Sequence, residues 1–337
     1  MADYTPSRPG EANLVGGDAP TAAQATANYL KLFSGETLAA FRVATAMRAL
    51  HRVRNIKSGK SAQFMVSGRV GAIRHKPGVQ LTGNQKLPYN EIEIFADYPL
   101  VSDTFIGDWD TTISHFETRN EHATQLGDAL AQTYDQTLLR LAVKGASQSN
   151  VITGEPGGSQ INGGANMVTD LATLRSAHFT AAQTFAEKNV PMAERHSVMS
   201  PMQYYILAQD TTLMNKDWGG AGNFSKAEVP VIAGINIHMS NNVPGLATSG
   251  AGQIGAGGPT ASTFAAVDGE INDYTLTATN TVGVIFQREA LGTVSLWDVQ
   301  LKAQEDISRG GTLTLARMLT GHGVLRPECC IELTKAP

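Results

Sequence analysis

Three constellations in this chain have residue types and spacings that could do chemistry. Gly59-Lys60-Ser61 matches the tail of a phosphate-binding loop, where backbone amides and a lysine cradle phosphates. That loop needs another glycine at position 54, which is Arg, so the amide nest cannot form. Gly250-Ala251-Gly252-Gln253-Ile254-Gly255 fits the dinucleotide fingerprint, which works only between a strand and a helix whose N-terminus faces the pyrophosphate. Gly257-Gly258-Pro259 follows and cannot open such a helix, so residues 245–263 read as a glycine-rich loop that binds no nucleotide. His115 and His122 flank Glu121 but lack a His-Glu-x-x-His or Cys/His ligand spacing, and read as solvated or capping side chains. No Gly-x-Ser-x-Gly nucleophile elbow occurs. The expectation is no catalytic residue, no cofactor and no metal. The chain is not read as an enzyme.

Composition points the same way. The 337 residues carry 26 Lys and Arg against 30 Asp and Glu, a net charge of −4. That excludes a wholly basic surface and leaves room for a local basic patch. Charged residues are 17%, against ~25% in an average soluble domain, while apolar residues are 42%. Surfaces so poor in charge often meet other protein. The two cysteines, Cys329 and Cys330, are adjacent and cannot form an ordinary disulfide without strain, which suits a reducing compartment. No signal-peptide pattern opens the chain, and no apolar run approaches the ~18–20 residues of a membrane span. A soluble protein made in a cytosol is expected.

The elements that would position any site alternate between helix and strand. Residues 1 to about 27, rich in Pro, Gly, Ala and Thr, predict a flexible segment, and 29–50 a short amphipathic helix or partly ordered arm. Residues 61–107 predict a long hairpin with a tip of about ten residues, its return strand marked by the alternation Glu91-Ile92-Glu93-Ile94. Leu126, Leu130, Tyr134, Leu138 and Leu141 form one apolar stripe over a helix at 118–144, with Gly145 as its C-terminal cap. A second helix is expected over 168–188. A short strand at 197–199 and a helix from Pro201 follow, then strands at 231–239, 281–287, 294–304 and 312–319, and an apolar run at 329–333. The class is α+β.

Charge is strongly segregated. Between Thr37 and Asn90 there are ten basic residues (Arg42, Arg48, Arg52, Arg54, Lys57, Lys60, Arg69, Arg74, Lys76, Lys86) and no acid. Between Glu91 and Asp135 ten acids face one base, Arg119. Pairing inside one monomer, nucleic-acid binding by the basic block, and head-to-tail contact between copies all remain open. The basic block has no aromatic interleaving or nucleic-acid motif, and an isolated two-stranded arm is marginal without a neighbour. Arg54, Lys57, Lys60, Arg69, Arg74 and Lys76, with Glu91, Glu93, Asp97, Glu117 and Glu121, are the candidate intersubunit contacts.

Several segments resemble a known family. Leu32-Phe33-Ser34-Gly35-Glu36-Thr37-Leu38, Val53-Arg54-Asn55-Ile56-Lys57-Ser58-Gly59-Lys60-Ser61-Ala62-Gln63-Phe64, Gly68-Arg69 and Pro77-Gly78 closely resemble the N-terminal third of the major capsid protein of T7-like podoviruses. Ala290-Leu291-Gly292-Thr293-Val294 and Gly321-His322-Gly323-Val324-Leu325-Arg326-Pro327-Glu328 are similar to that family's closing segments. The resemblance implies an HK97-like capsid fold: an N-terminal arm (1–56), an extended E-loop hairpin (57–107), a P-domain (108–190) with a spine helix, an A-domain (191–290) and return strands of the P-domain (291–337). It further implies hexamers and pentamers in an icosahedral lattice, held non-covalently, around double-stranded DNA. A scaffolding protein during assembly, a portal protein at one vertex and a decoration or head-fibre protein would be the partners, with assembly in the bacterial host cytoplasm and no membrane. An encapsulin-like nanocompartment shares the fold, and a soluble enzyme is the alternative from a different class.

Overall fold

A computed structural model describes residues 47–81, 83, 85–113, 118–210, 231–244, 263–264, 269–278 and 280–335. The expected arm before residue 47 and nearly all of the glycine-rich loop lie outside these residues. Strands β1 (Arg52–Asn55), β2 (Ser61–Ser67), β3 (Tyr89–Phe95) and β4 (Leu100–Gly107) precede helices α1 (Asp108–Ile113) and α2 (Thr118–Ser147). β5 (Ser159–Asn162) leads to helix α3 (Leu171–Glu187), and β6 (Arg195–Met199) to helix α4 (Pro201–Leu207). The remaining strands are β7 (Val231–Ile232), β8 (Ile235–Met239), β9 (Thr263–Phe264), β10 (Leu276–Thr277), β11 (Thr281–Gln287), β12 (Leu291–Asp306), β13 (Gly311–Val324) and β14 (Cys330–Thr334).

The chain divides into two compact units. One comprises the described parts of Pro99–Ala131 and Trp297–Leu319; the other comprises those of Thr45–Tyr98, Gln132–Leu296 and Thr320–Pro337. In the first, β4 runs antiparallel to β13, from Leu100 opposite Met318 to Gly107 opposite Gly311. Phe105, Ile106, Ala316 and Met318 are among its buried side chains.

The second unit holds a six-stranded sheet in the order β5-β14-β11-β6-β8-β7. All seven residues of β11 are buried, as a central strand covered on both faces requires. Asp170 caps α3 by accepting from the Thr173 amide at 3.0 Å. At the other end Arg195, 2% exposed, lies over the Phe185 ring and donates to the Val190 and Pro191 carbonyls.

The leucine stripe of α2 is core: Leu126, Leu130, Tyr134, Leu138 and Leu141 are all buried. The helix does not stop at Gly145, however, and continues to Ser147. A Cβ at position 145 would stand 2.9 Å from Cys330 Sγ and 3.1 Å from Val324 Cγ1, so this glycine serves close packing rather than a cap.

Two further expectations are corrected. The predicted hairpin over 61–107 is shorter, pairing β2 with β3 from Ser61 opposite Phe95 to Ser67 opposite Tyr89. Residues 100–107 pair with β13 instead, and the tip is about twice the expected length. Period-two alternation marks strands and does not say which strand is the partner. The strand expected over 231–239 is broken by a turn at Ala233 (φ 50°) and Gly234 (φ 77°), which folds β7 back onto β8. Two successive left-handed residues make the tight hairpin turn that suits strand twist, and Ala-Gly is a weak signal for it.

Glycines at different places in this fold should respond oppositely to a methyl group. At Gly127, inside α2, a Cβ meets no described residue within 4 Å, so Gly127→Ala should raise subunit stability by ~0.5–1 kcal/mol. At Gly321 a Cβ would sit 1.8 Å from the Phe95 carbonyl oxygen, so Gly321→Ala should cost several times that, or prevent folding. Thermal denaturation of the two variants reads the contrast.

Candidate intersubunit surface

The hairpin is rooted in a small core made of Ala62, Phe64, Ile94, Val294 and Leu325, with Ile56 and Ile92 packed against it. The core residues come from β2, β3, β12 and the residue that follows β13, and Ile56 follows β1. β1 lies beside the first residues of β12 in parallel register, Arg52 opposite Gly292 and Asn55 opposite Ser295. The run Gly321-His322-Gly323-Val324-Leu325-Arg326 closes the root. Its two glycines let β13 touch β3, where a Cβ on Gly323 would meet Ile94 at 2.9 Å. Leu325 fills the core under Phe64, and Arg326 donates to the Ser67 carbonyl at 3.2 Å.

Behind this root runs a buried polar chain. His51 Nε2 is 2.7 Å from Thr293 Oγ1, which is 2.8 Å from His322 Nδ1. Tyr134 OH reaches His51 Nε2 at 3.2 Å, and its ring packs edge-on against His322 at 4.9 Å between centroids. The His322 amide donates to Tyr274 OH, which itself donates to Asp97. Asp97 also accepts from the amides of Ile271 and Asn272 and from Asn272 Nδ2. The loop before β10 is thereby held on a residue two past the end of the hairpin.

Burial sets the titration of this chain. Desolvation holds His51 down at about 4 and His322 at about 3, so both imidazoles are neutral at pH 7. Burial likewise pushes the Cys329 thiol up to about 12 and Cys330 above its ordinary value, leaving neither as a reactive thiolate.

The sequence-predicted contact residues divide into two groups. Four are engaged within the chain. Arg54 donates to the Gln63 carbonyl at 2.7 Å and lies over the Phe64 ring. Arg69 donates to the Lys188 carbonyl at 2.7 Å, at the C-terminal end of α3, and faces Glu155 at 3.7 Å. It also walls a cleft of about 260 Å³ with Pro88, Glu155, Glu187 and Lys188. Glu93 accepts from the Ser61 hydroxyl, and Asp97 is the fourfold acceptor described above. Lys57, Lys60, Arg74, Lys76 and Glu91 are exposed and make no ion pair with another described residue. Glu117 and the Glu121 side chain lie outside the described residues.

Sequence reasoning missed the apolar part of the surface. Met65, Val70, Ile73, Val79, Leu81, Leu87 and Tyr89 are all exposed along the hairpin and its tip, Met65 by 74%. Clustered exposed hydrophobics of this kind mark sites that other protein covers.

A family model for Gp10A-like major capsid proteins matches residues 63–334. The chain belongs to this family. The major capsid protein of Enterobacteria phage T3 is 29% identical over 327 residues, covering 93% of this chain and 92% of the relative. That of Escherichia phage T7 is 30% identical over 312 residues, covering 89% of each. The capsid structure of cyanophage P-SCSP1u superimposes with a TM-score of 0.76 at 36% identity over 99% of both chains. The mature capsid of bacteriophage PhiM1, at 18% identity and a TM-score of 0.67, shares the fold. As a major capsid protein this chain is a structural component of the phage virion that assembles with its own kind, and not an enzyme. The α+β, HK97-like class expected from the sequence stands.

The buried histidines give this capsid protein a defined acid sensitivity. Their folded pKa values lie below the unfolded value of ~6.5, so the unfolded chain takes up protons first as pH falls. Subunit stability should decline from about pH 6.5 downward by up to ~1.4 kcal/mol per pH unit for each histidine, levelling off as pH falls through the folded values. Between pH 6.5 and 5, before most carboxylates titrate, His322→Asn should show a shallower slope than wild type in denaturant midpoints. Equal slopes would disprove the assignment.

Proposed function

We propose that the chain forms the hexamers and pentamers of an icosahedral shell around double-stranded DNA. Its hairpin, the E-loop, lies on a neighbouring subunit. Assembly takes place in the bacterial cytoplasm with a scaffolding protein, and the finished shell meets a portal at one vertex. In this reading the second unit carries the A-domain over 191–290, and the sheet of β4 and β13 belongs to the P-domain. The first and last strands of the expected E-loop, 57–107, then divide: residues to Phe95 form the arm, and 100–107 belong to the P-domain.

The observation that carries the reading is the contrast along one hairpin. Its root is packed in a core, while its tip exposes Val70, Ile73, Val79 and Leu81 beside Arg74 and Lys76. A two-stranded arm gains little stability alone, and apolar area of this size is stabilising only when another surface covers it. Exposed Glu91, with the acidic residues of the block that the subunit itself does not engage, supplies the opposite charge on a neighbour.

Because Arg69 is engaged with α3 of its own chain, the cleaner test uses the tip. Arg74→Glu combined with Lys76→Glu, co-expressed with the scaffolding protein, should leave circular dichroism native while particle yield drops at least tenfold. A like-charge clash in a partly desolvated contact costs several kcal/mol, whereas exposed pairs within one subunit are worth only ~0–1 kcal/mol. Normal particle yield would refute the intersubunit role of the tip.

A further inference from the structure

The six-stranded sheet carries a pair of side chains that packing alone does not account for. His196 lies on β6 and His238 on β8, parallel neighbours in which His196 stands opposite Asn236 and Val198 opposite His238. Residues two apart on a strand share a face, so the imidazoles project diagonally to one side of the sheet. His196 Nδ1 and His238 Nε2 are 3.1 Å apart, with ring centroids at 5.3 Å. On the same face Val198, Val284 and Phe286 are fully buried, and the Phe286 ring lies 6.1 Å from His196. α3 covers the other face, where His178 reaches Ser197. The two rings are only half-buried, and neither makes another side-chain hydrogen bond to a described residue.

Burial lowers the proton affinity of both rings, and for His196 the second imidazole lowers it further. At neutral pH the pair is therefore two neutral imidazoles whose facing nitrogens are 3.1 Å apart. We propose that His196 and His238 form a two-imidazole site for a divalent transition-metal ion of the Zn²⁺, Ni²⁺ and Cu²⁺ class. With metal–nitrogen bonds of ~2.0–2.1 Å, nitrogens at this separation subtend about 100° at the ion, between octahedral and tetrahedral angles. Neutral imidazole suits these ions. In the metal-free pair one ring donates its N–H to the other. Loading shifts that proton to the outer nitrogen of the same ring, so both facing nitrogens offer lone pairs and no net proton is released.

Two ligands leave coordination positions open. Among the described residues no group of three or more His, Cys, Asp or Glu side chains could hold a metal. Glu194, beside His196 in sequence, is paired with Arg288 at 2.6 Å. Water fills the remaining positions. The ion ties β6 to β8, next to the short edge strand β7.

The test is titration of the EDTA-washed full-length protein with Cu²⁺ and with Ni²⁺ near pH 7.5. The expected result is saturable binding of about one ion per subunit, with electron paramagnetic resonance of the Cu²⁺ form showing coupling to two nitrogens. Ni²⁺ in excess should raise the thermal midpoint, since an ion that binds only the folded chain stabilises it. His238→Gln, at a half-exposed position, should keep native circular dichroism. It should weaken binding by at least the ~10–100-fold that loss of even an outer-shell partner costs, and remove one coupled nitrogen. Absence of saturable binding to wild type, or a Cu²⁺ spectrum and affinity unchanged in His238→Gln, would overturn the site. Should the variant fail to fold, His196→Gln reads the same loss, and a wild-type spectrum without two coupled nitrogens is itself decisive against it.

Discussion

The rest of this structure depends on how closely β13 approaches the root of the hairpin. At Gly321 the backbone of β13 is so near the Phe95 carbonyl that no side chain fits between them, and the Asp97 amide donates to the Thr320 carbonyl at 3.2 Å. That approach brings His322 under Tyr134 and beside Thr293, and lets Tyr274 bridge His322 to Asp97. Each of these groups is buried or nearly so. A buried donor or acceptor left unpaired costs ~1–3 kcal/mol, so the chain of hydroxyls and imidazoles is stable as a whole and costly in parts. Glycine is what makes the whole possible.

From that root the hairpin grows steadily less self-sufficient. Phe64 and Ile94 are buried in the small core, whereas Met65 and the apolar residues of the tip face outward. The gradient suits a subunit of a self-assembling capsid. The end that must keep its direction is fixed by packing and hydrogen bonds within the chain. The other end leaves its apolar and cationic groups exposed, and in the proposed reading a neighbouring subunit covers them. The low charged fraction, 17%, fits the same economy, since surfaces destined for burial against protein cannot carry many charges without desolvation cost.

Much of the architecture was legible from residue order. The leucine stripe of α2, Pro201 opening α4, and the apolar runs of β11 and β14 stand where period and punctuation placed them. What failed was pairing and proximity. The hairpin expected over 61–107 took in residues 100–107, but their partner is β13, about two hundred residues away. Gly145 carried the signature of a helix end, yet it is a contact with Cys330 on a strand that only the folded chain brings there. The histidines show the same limit. His115 and His122 drew attention by spacing, whereas His51 meets His322 through Thr293, and His196 meets His238, across separations no local motif encodes.

The sequence by itself therefore determined the class of the fold, the order of its elements, the family, and the presence of one basic and one acidic block. These are properties of composition, period and letter order, which act locally or by descent. Tertiary structure decided which charges are spent inside the subunit and which remain exposed. Arg69 is held by helix α3 and Asp97 by the loop at Ile271–Tyr274, while Lys57, Lys60, Arg74 and Lys76 stay in solvent. The reason is geometric. A cation's worth depends on what lies within a few ångströms of it, and that distance is set by strands and helices packing from distant parts of the chain.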